Sequence, residues 1–265
     1  MGSLNLPLTA GNTRVKETRK LSRRSERSER RLFLADGPKA VEGALEVPGC
    51  VVEVFATLAA TEQYAALAAT APQWTLVDDR ALASLSDSVT PAGVVALCRF
   101  LDRPVEHVAD AARLLAICAD VRDPGNAGTV IRCADATGAD GVVLAGSSVD
   151  AYNPKTVRAS VGSLFHLPLA IEPDPVAAVR AAQAAGLQVL AADGTGEIEL
   201  DPTAELLAAP TAWLFGNEAW GLPAELAELA DHRVRIPIYG RAESLNLSTA
   251  AAVCLYASAG AQRRQ

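Results

Sequence analysis

An α/β fold in two parts follows from three observations. From Leu114 onward, apolar strand-like runs alternate regularly with helical stretches; before residue 100 the same alternation is looser; and a polar, proline-bearing stretch separates the two. Strand and helix alternating at this spacing imply a mostly parallel sheet with helices on both faces. Half of the 265 residues are hydrophobic, enough for one large core or two modest ones, and two suits the change of character. We expect an N-terminal domain over 1–100, a linker over 101–112 and a second domain over 113–265.

In the first domain, Leu32–Ala35, Val51–Ala56, Thr75–Val77 and Val94–Leu97 read as short strands. Helical patterns cover Gly37–Glu46, Glu62–Ala69 and Asp79–Leu85. Asp102-Arg103-Pro104-Val105-Glu106-His107 suits a linker, being polar and carrying a proline. Strands are then expected at Leu114–Val121, Gly141–Ala145, Leu167–Ile171, Leu187–Ala192, Thr211–Phe215 and Arg233–Ile238. Helices are expected at Asn126–Gly138, Pro154–Phe165, Asp174–Ala185, Ala224–Leu229 and Ser244–Ala259.

Net charge is −7, which by itself argues against a polyanionic partner. Its distribution reverses that inference. Between Arg14 and Arg31 nine Lys or Arg face three Glu, so this segment carries +6 and the remainder −13. A basic stripe on an acidic protein is the footprint of local phosphate contact, and Arg14, Lys16, Arg19, Lys20, Arg23 and Arg24 are its candidate RNA-binding residues. The competing reading is a solvated helix face with pairs such as Glu26–Arg30.

No apolar run approaches the roughly twenty residues of a membrane helix, and Met1–Leu6 lacks the basic and apolar regions of a leader, so a soluble, cytoplasmic protein is expected. Five scattered cysteines, none in Cys-x-x-Cys spacing, indicate neither a disulfide framework nor a zinc site. His107, His166 and His232 are isolated, so no metal is expected. The Gly-x-Gly-x-x-Gly, Walker and Gly-x-Ser-x-Gly patterns do not occur.

Three segments carry chemistry. In Asn126-Ala127-Gly128-Thr129-Val130-Ile131-Arg132, Asn126 reads most simply as an N-cap and Arg132 as a surface ion pair with Asp135. Their place at the carboxyl end of a strand is where α/β sheets bind ligands. Phe215-Gly216-Asn217-Glu218-Ala219-Trp220-Gly221-Leu222-Pro223 follows a buried strand and joins two glycines to an acid that can pair with a base or cap a helix. Ile236-Pro237-Ile238-Tyr239-Gly240 places a proline inside an apparent strand, which frees nearby main-chain groups for a ligand. Ser244-Leu245-Asn246-Leu247-Ser248 then opens an apolar helix with repeated polar residues. The turn at Gly194 ends a third strand that could border the same pocket.

Together these segments resemble the signature motifs of the SpoU (TrmH-like) branch of the SPOUT RNA 2′-O-ribose methyltransferases, most like the ribosomal-RNA-directed members. Asn126, Gly128 and Arg132 match the first motif; Gly216, Asn217, Glu218 and Gly221 the second; Ile236, Pro237, Gly240, Ser244, Leu245, Asn246 and Ser248 the third. Val157–Phe165, with Arg158 as a further RNA-binding candidate, also resembles those members. The resemblance implies a C-terminal SPOUT domain with a trefoil knot, a small ribosomal-protein-like (L30e-like) RNA-binding domain before it, and a homodimer. It implies S-adenosyl-L-methionine as cofactor, held by main-chain groups near Gly216, Ile236 and Leu245, with Gly194 at the border. It implies catalytic roles for Arg132, Asn126, Glu218, Ser244 and Asn246. A transfer-RNA methyltransferase of the same branch and a catalytically silent RNA-binding protein stand as alternatives.

Overall fold

The structure is a computed structural model and describes residues 6–264. Of the stretch Met1–Leu6 read above, Met1–Asn5 lie outside the described residues. In chain order the first elements are α1 (Thr13–Arg19), α2 (Arg24–Arg30), β1 (Leu32–Asp36), α3 (Pro38–Glu46), β2 (Val51–Ala56), α4 (Leu58–Gln63), α5 (Ala65–Thr70), β3 (Trp74–Leu76), α6 (Asp79–Leu85) and β4 (Val94–Arg99). There follow α7 (Val105–Ala109), β5 (Leu114–Ala119), α8 (Pro124–Thr137), β6 (Gly141–Ala145), α9 (Pro154–Ser160), β7 (Leu169–Glu172) and α10 (Pro175–Ala184). The chain ends in β8 (Gln188–Ala192), β9 (Ile198–Glu199), β10 (Thr211–Phe215), α11 (Ala224–Ala227), β11 (His232–Arg235) and α12 (Leu247–Gln262).

Two compact units form. One runs to Leu101 and adds Tyr152–His166; the other takes Asp102–Ala151 and the chain from Leu167 onward. The first unit has the sheet order β1-β4-β2-β3, antiparallel except for the β2–β3 pair. Its core joins Phe55 and Val95 of the sheet to Leu82 of α6, and Val15 and Leu21 anchor the basic segment in that core. This segment is therefore part of the domain.

Residues 152–166 join the first unit through aromatic packing. The rings of Phe100 and Tyr152 stack at 3.8 Å, Phe33 lies 4.6 Å from Tyr152, and the Tyr152 hydroxyl accepts the Leu101 N–H at 2.7 Å. The helix expected over Pro154–Phe165 stops at Ser160, where Val161 turns left-handed (φ 52°) and a 3-10 turn over Ser163–Phe165 follows. Likewise the helix expected at 62–69 is two short helices, broken at Tyr64.

The second unit is a seven-stranded, wholly parallel sheet in the order β7-β6-β5-β10-β8-β11-β9. β5, β6 and β10 are buried along their whole length, which is why they read as unbroken apolar runs. Leu115, Ile117, Leu214 and Val189 pack with Val179 of α10 and Val108 of α7 on one face. The alternate residues face the other way, where the Trp213 indole donates to Ser258 of α12 at 2.9 Å. Residues 101–112, expected as a linker, contain α7 and bury Val105, Val108, Ala109 and Ala112 in this core. The apolar residues there, interspersed with Asp102, Arg103, Glu106 and Asp110, find a face to cover only in the tertiary fold.

Candidate active site

β10, β8 and β11 are neighbours in the sheet, and the chain leaving their carboxyl ends encloses a cavity of about 330 Å³. Asp193 and Gly194 follow β8, Gly216 follows β10, Ile236 and Ile238 follow β11, and Ser244 and Leu245 precede α12; all line it. Ligand sites of α/β sheets sit at this edge, and the volume falls within the roughly 300–1,000 Å³ usual for small-molecule pockets.

The β10 loop is tightly built. Asn217 and Gly221 exchange two backbone hydrogen bonds of 2.9 Å, which confines Glu218, Ala219 and Trp220 to a three-residue tip. Gly221 has φ +71°, a region that favours glycine, and a Cβ on Gly216 would stand 2.3 Å from the Gly221 carbonyl carbon. The buried Asn217 side chain ties the loop down, donating to the Asp120 carbonyl at 2.7 Å and accepting the Ala219 N–H at 2.8 Å. The sequence places Asn217 in a motif without showing a role; the structure shows this double use tying the loop together.

Glu218 accepts the backbone N–H groups of Arg122 and Asp123 at 3.1 and 2.9 Å and the Asn126 amide at 3.2 Å. The Asn126 oxygen accepts from the Asn246 amide at 3.0 Å, and the Asn246 oxygen caps α12 through Ser248 N–H at 2.9 Å. One relay thus runs from the β10 loop to the starts of α8 and α12. Partial burial pushes the Glu218 pKa up, but the Arg122, Asp123 and Asn126 bonds outweigh it and hold the carboxyl below the ordinary glutamate range. Burial, with the Glu218 charge nearby, pushes the Cys118 thiol up to about 12, so it stays protonated at neutral pH.

Four sequence readings change. Asn126 is not the cap of α8: Asp123 accepts the Asn126 N–H at 2.8 Å and Pro124 stands at the first turn. Asp-Pro before an apolar helix was a legible start signal that the Asn obscured. β11 ends at Arg235, so Pro237 lies in loop and not in strand. α12 starts at Leu247, which leaves Ser244 in the pocket wall and gives the cap to Asn246 alone. Arg132 is exposed on α8 and forms no side-chain hydrogen bond or ion pair among the described residues, so the Asp135 pair is absent and Arg132 is not among the pocket's lining residues.

The basic candidates divide. Arg14 pairs with the buried Glu53, Lys20 with Glu17 at 2.8 Å, and Arg158 with Asp87 at 2.9 Å beside a second cavity that Lys39 also lines. Arg27, counted in the stripe, is buried and donates to the Leu21 and Ser22 carbonyls. Lys16, Arg19, Arg23 and Arg24 are exposed and make no ion pair among the described residues. No group of three His, Cys, Asp or Glu that could hold a metal occurs among the described residues, and no helix is long and apolar enough to cross a membrane.

The pocket's donor set fits S-adenosylmethionine. Ile236, Ile238 and Leu245 make no backbone–backbone hydrogen bond among the described residues, which leaves main-chain groups for an adenine edge, and Phe215, Val234 and Ile236 supply apolar walls.

The SpoU rRNA Methylase family model matches residues 113–256, and an MRM3-like substrate binding domain matches residues 12–96. The chain is 36% identical over 251 residues to the 23S rRNA (guanosine(2553)-2′-O)-methyltransferase RlmP of Bacillus subtilis, covering 94% of this chain and 96% of that one. Among solved structures, an AdoMet-bound rRNA methyltransferase from Sinorhizobium meliloti superposes with a TM-score of 0.82 at 34% identity, covering 97% of this chain and 96% of the other. The SpoU methyltransferase AviRb from Streptomyces viridochromogenes, in complex with AdoMet, does so at 0.82 and 31%, covering 96% and 99%.

Proposed function

The chain belongs to the SpoU rRNA methylase family, and from that premise we propose how its residues methylate a ribose 2′-hydroxyl of ribosomal RNA with S-adenosylmethionine. The enzyme is an RNA ribose 2′-O-methyltransferase, and the named substrates of its relatives favour ribosomal over transfer RNA. The observation that carries the reading is the relay joining Glu218, Asn126 and Asn246, one residue from each motif, with Glu218 itself in the wall of the strand-end pocket.

Bound there, S-adenosylmethionine supplies a sulfonium methyl already activated for in-line displacement. The protein's task is to place the ribose oxygen and ease loss of its proton. Main-chain groups of Gly216, Ile236 and Leu245 hold the cofactor's adenosine, with Gly194 at the border. An arginine is a poor base because guanidinium stays protonated in proteins. Arg132, exposed and unpaired, instead clamps an RNA phosphate and stabilises the developing alkoxide. Asn126, Glu218, Ser244 and Asn246 orient the reacting groups. Lys16, Arg19, Arg23 and Arg24 supply phosphate contacts, supplemented by Arg14, Lys20 and Arg158.

The homodimer belongs to the same proposal. Thr249, Val253 and Tyr256, spaced by four and three, form one exposed stripe on α12, and its occupant is a second copy of the chain. The trefoil knot and a cytoplasmic setting complete the reading. Arg132→Ala should abolish methyl transfer while cofactor affinity by calorimetry stays near wild type, and Arg132→Lys should rescue poorly because a point charge lacks the guanidinium fork. Near-normal turnover in the alanine variant removes Arg132 from the mechanism. Mapping ribose methylation in RNA from cells with and without the gene identifies the target.

A further inference from the structure

Two large aromatic side chains stand exposed on the loops that wall the pocket. Trp220 is 60% exposed at the tip of the β10 loop, between the lining residues Ala219 and Gly221, and Tyr239 is 92% exposed next to the lining residue Ile238. Scattered surface apolar residues are ordinary. These two are not scattered, since Ile238 and Leu245 of the pocket wall are also over a third exposed and extend the apolar surface inward.

The Trp220 backbone is held in place. The paired Asn217–Gly221 bonds close the loop, Asn217 anchors it to Asp120, and Glu218 anchors it to Arg122 and Asp123. A rigid loop presenting an unburied indole has already lost the entropy that ordering would cost on binding. A ribose hydroxyl can reach a pocket only when its nucleotide is drawn out of the helical stack, and unstacked RNA bases are received on aromatic faces.

The geometry points to Trp220 and Tyr239 as the platform on which the target nucleotide, or its immediate neighbour, stacks while its ribose enters the methyl-transfer site. This rests on the RNA-methyltransferase reading above and adds to it the residues that receive the base. The remaining tryptophans suit the test: Trp213 is fully buried against Ser258, and Trp74 is half-buried and bonded to Thr61 at 2.9 Å. Trp220 is thus the indole that an added ligand can reach.

Intact protein is titrated at low salt with a mixed-sequence single-stranded RNA decamer and with the same decamer carrying abasic riboses. The base-bearing decamer should quench tryptophan emission, the abasic one should not, and Trp220→Phe should abolish the quench. On ribosomal RNA, Trp220→Ala and Tyr239→Ala should each raise the KM for RNA roughly ten-fold, as loss of one stacking contact does, with kcat less affected and cofactor affinity unchanged. Trp220→Phe should restore most of the loss. Equal quenching by both decamers, or an unaltered KM for RNA in Trp220→Ala, overturns the proposal. So does a parallel fall in cofactor affinity, which makes Trp220 a prop of the cofactor loop, or dissociation into monomers, which makes it a subunit contact. Failure of the underlying activity appears separately, as wild-type protein that transfers no methyl to RNA.

Discussion

Glu218 and Asn126 are 92 residues apart in the chain and share a hydrogen bond, and Asn246 reaches Asn126 across 120 residues. The carboxylate is the hub, since it accepts two backbone N–H groups ahead of α8 as well. Removing its charge by Glu218→Gln should cost about 1 kcal/mol, below the roughly 1.5–3 kcal/mol of bonds to a charged group because the side chain is exposed and screened, or about 2–4 °C in Tm. The pH dependence has a definite sign. The folded carboxyl titrates below the ordinary value of about 4.3, so its contribution is full above that value and is lost as pH falls through the depressed one. The gap in Tm between wild type and variant should therefore be open at pH 7 and close toward pH 3, read by calorimetry at both. A gap of the same size at both would show that the charge is not what stabilises the loop. At this scale the motif segments were legible, because Gly, Asn, Glu and Pro cluster there directly after apolar runs. The cap at Asp123 and the anchoring role of Asn217 needed coordinates, since each depends on which backbone groups come near.

α12 shows what an element's sequence tells and withholds. Its length and apolar content were readable over Ser244–Ala259, yet a helix apolar on every side does not say which face the sheet takes. The fold settles it: Cys254, Leu255 and Ser258 are buried, while Thr249, Val253 and Tyr256 are left outward. If that stripe is the subunit contact, Val253→Glu should turn a dimer into a monomer by light scattering while Tm changes little at low concentration, surface substitutions costing about 0.5 kcal/mol or less. A wild-type monomer, or a variant that stays dimeric, would remove the stripe from the interface. The short β9 strand and the 3-10 turn at Glu205–Ala208 leave no signal in the sequence. Two to four residues carry too little periodicity to read, and neighbours in the fold hold them in place.

At the scale of the molecule, the chain does not divide at one point. Tyr152, Val157 and Leu164 are buried within the first unit although they lie among residues of the second. Deleting the first hundred residues would strip those side chains of their partners, so truncation is a poor test of which unit binds RNA. Charge reversal is cleaner. Changing Lys16, Arg19, Arg23 and Arg24 to Glu touches no ion pair among the described residues and should leave folding and cofactor binding intact while RNA affinity falls. Each lost phosphate contact should also flatten the slope of log affinity against log salt by about 0.7–0.9. RNA affinity and salt slope equal to wild type would place the phosphate contacts elsewhere.

By itself the sequence determined the α/β class, the parallel sheet and the three motif segments, because strand and helix periodicities and glycine-bearing strand ends are local signals that survive without coordinates. It also located the basic segment, though not which of its charges are spent internally: Arg27 and Arg14 look like their neighbours in sequence and differ only in what packs beside them. Tertiary structure alone decided that residues 102–112 build core and that residues 152–166 belong with the N-terminal strands. It alone decided that the loops leaving β8, β10 and β11 close around one cavity. Each of those outcomes depends on long-range burial, and burial is a property of the folded neighbourhood that no window of sequence contains.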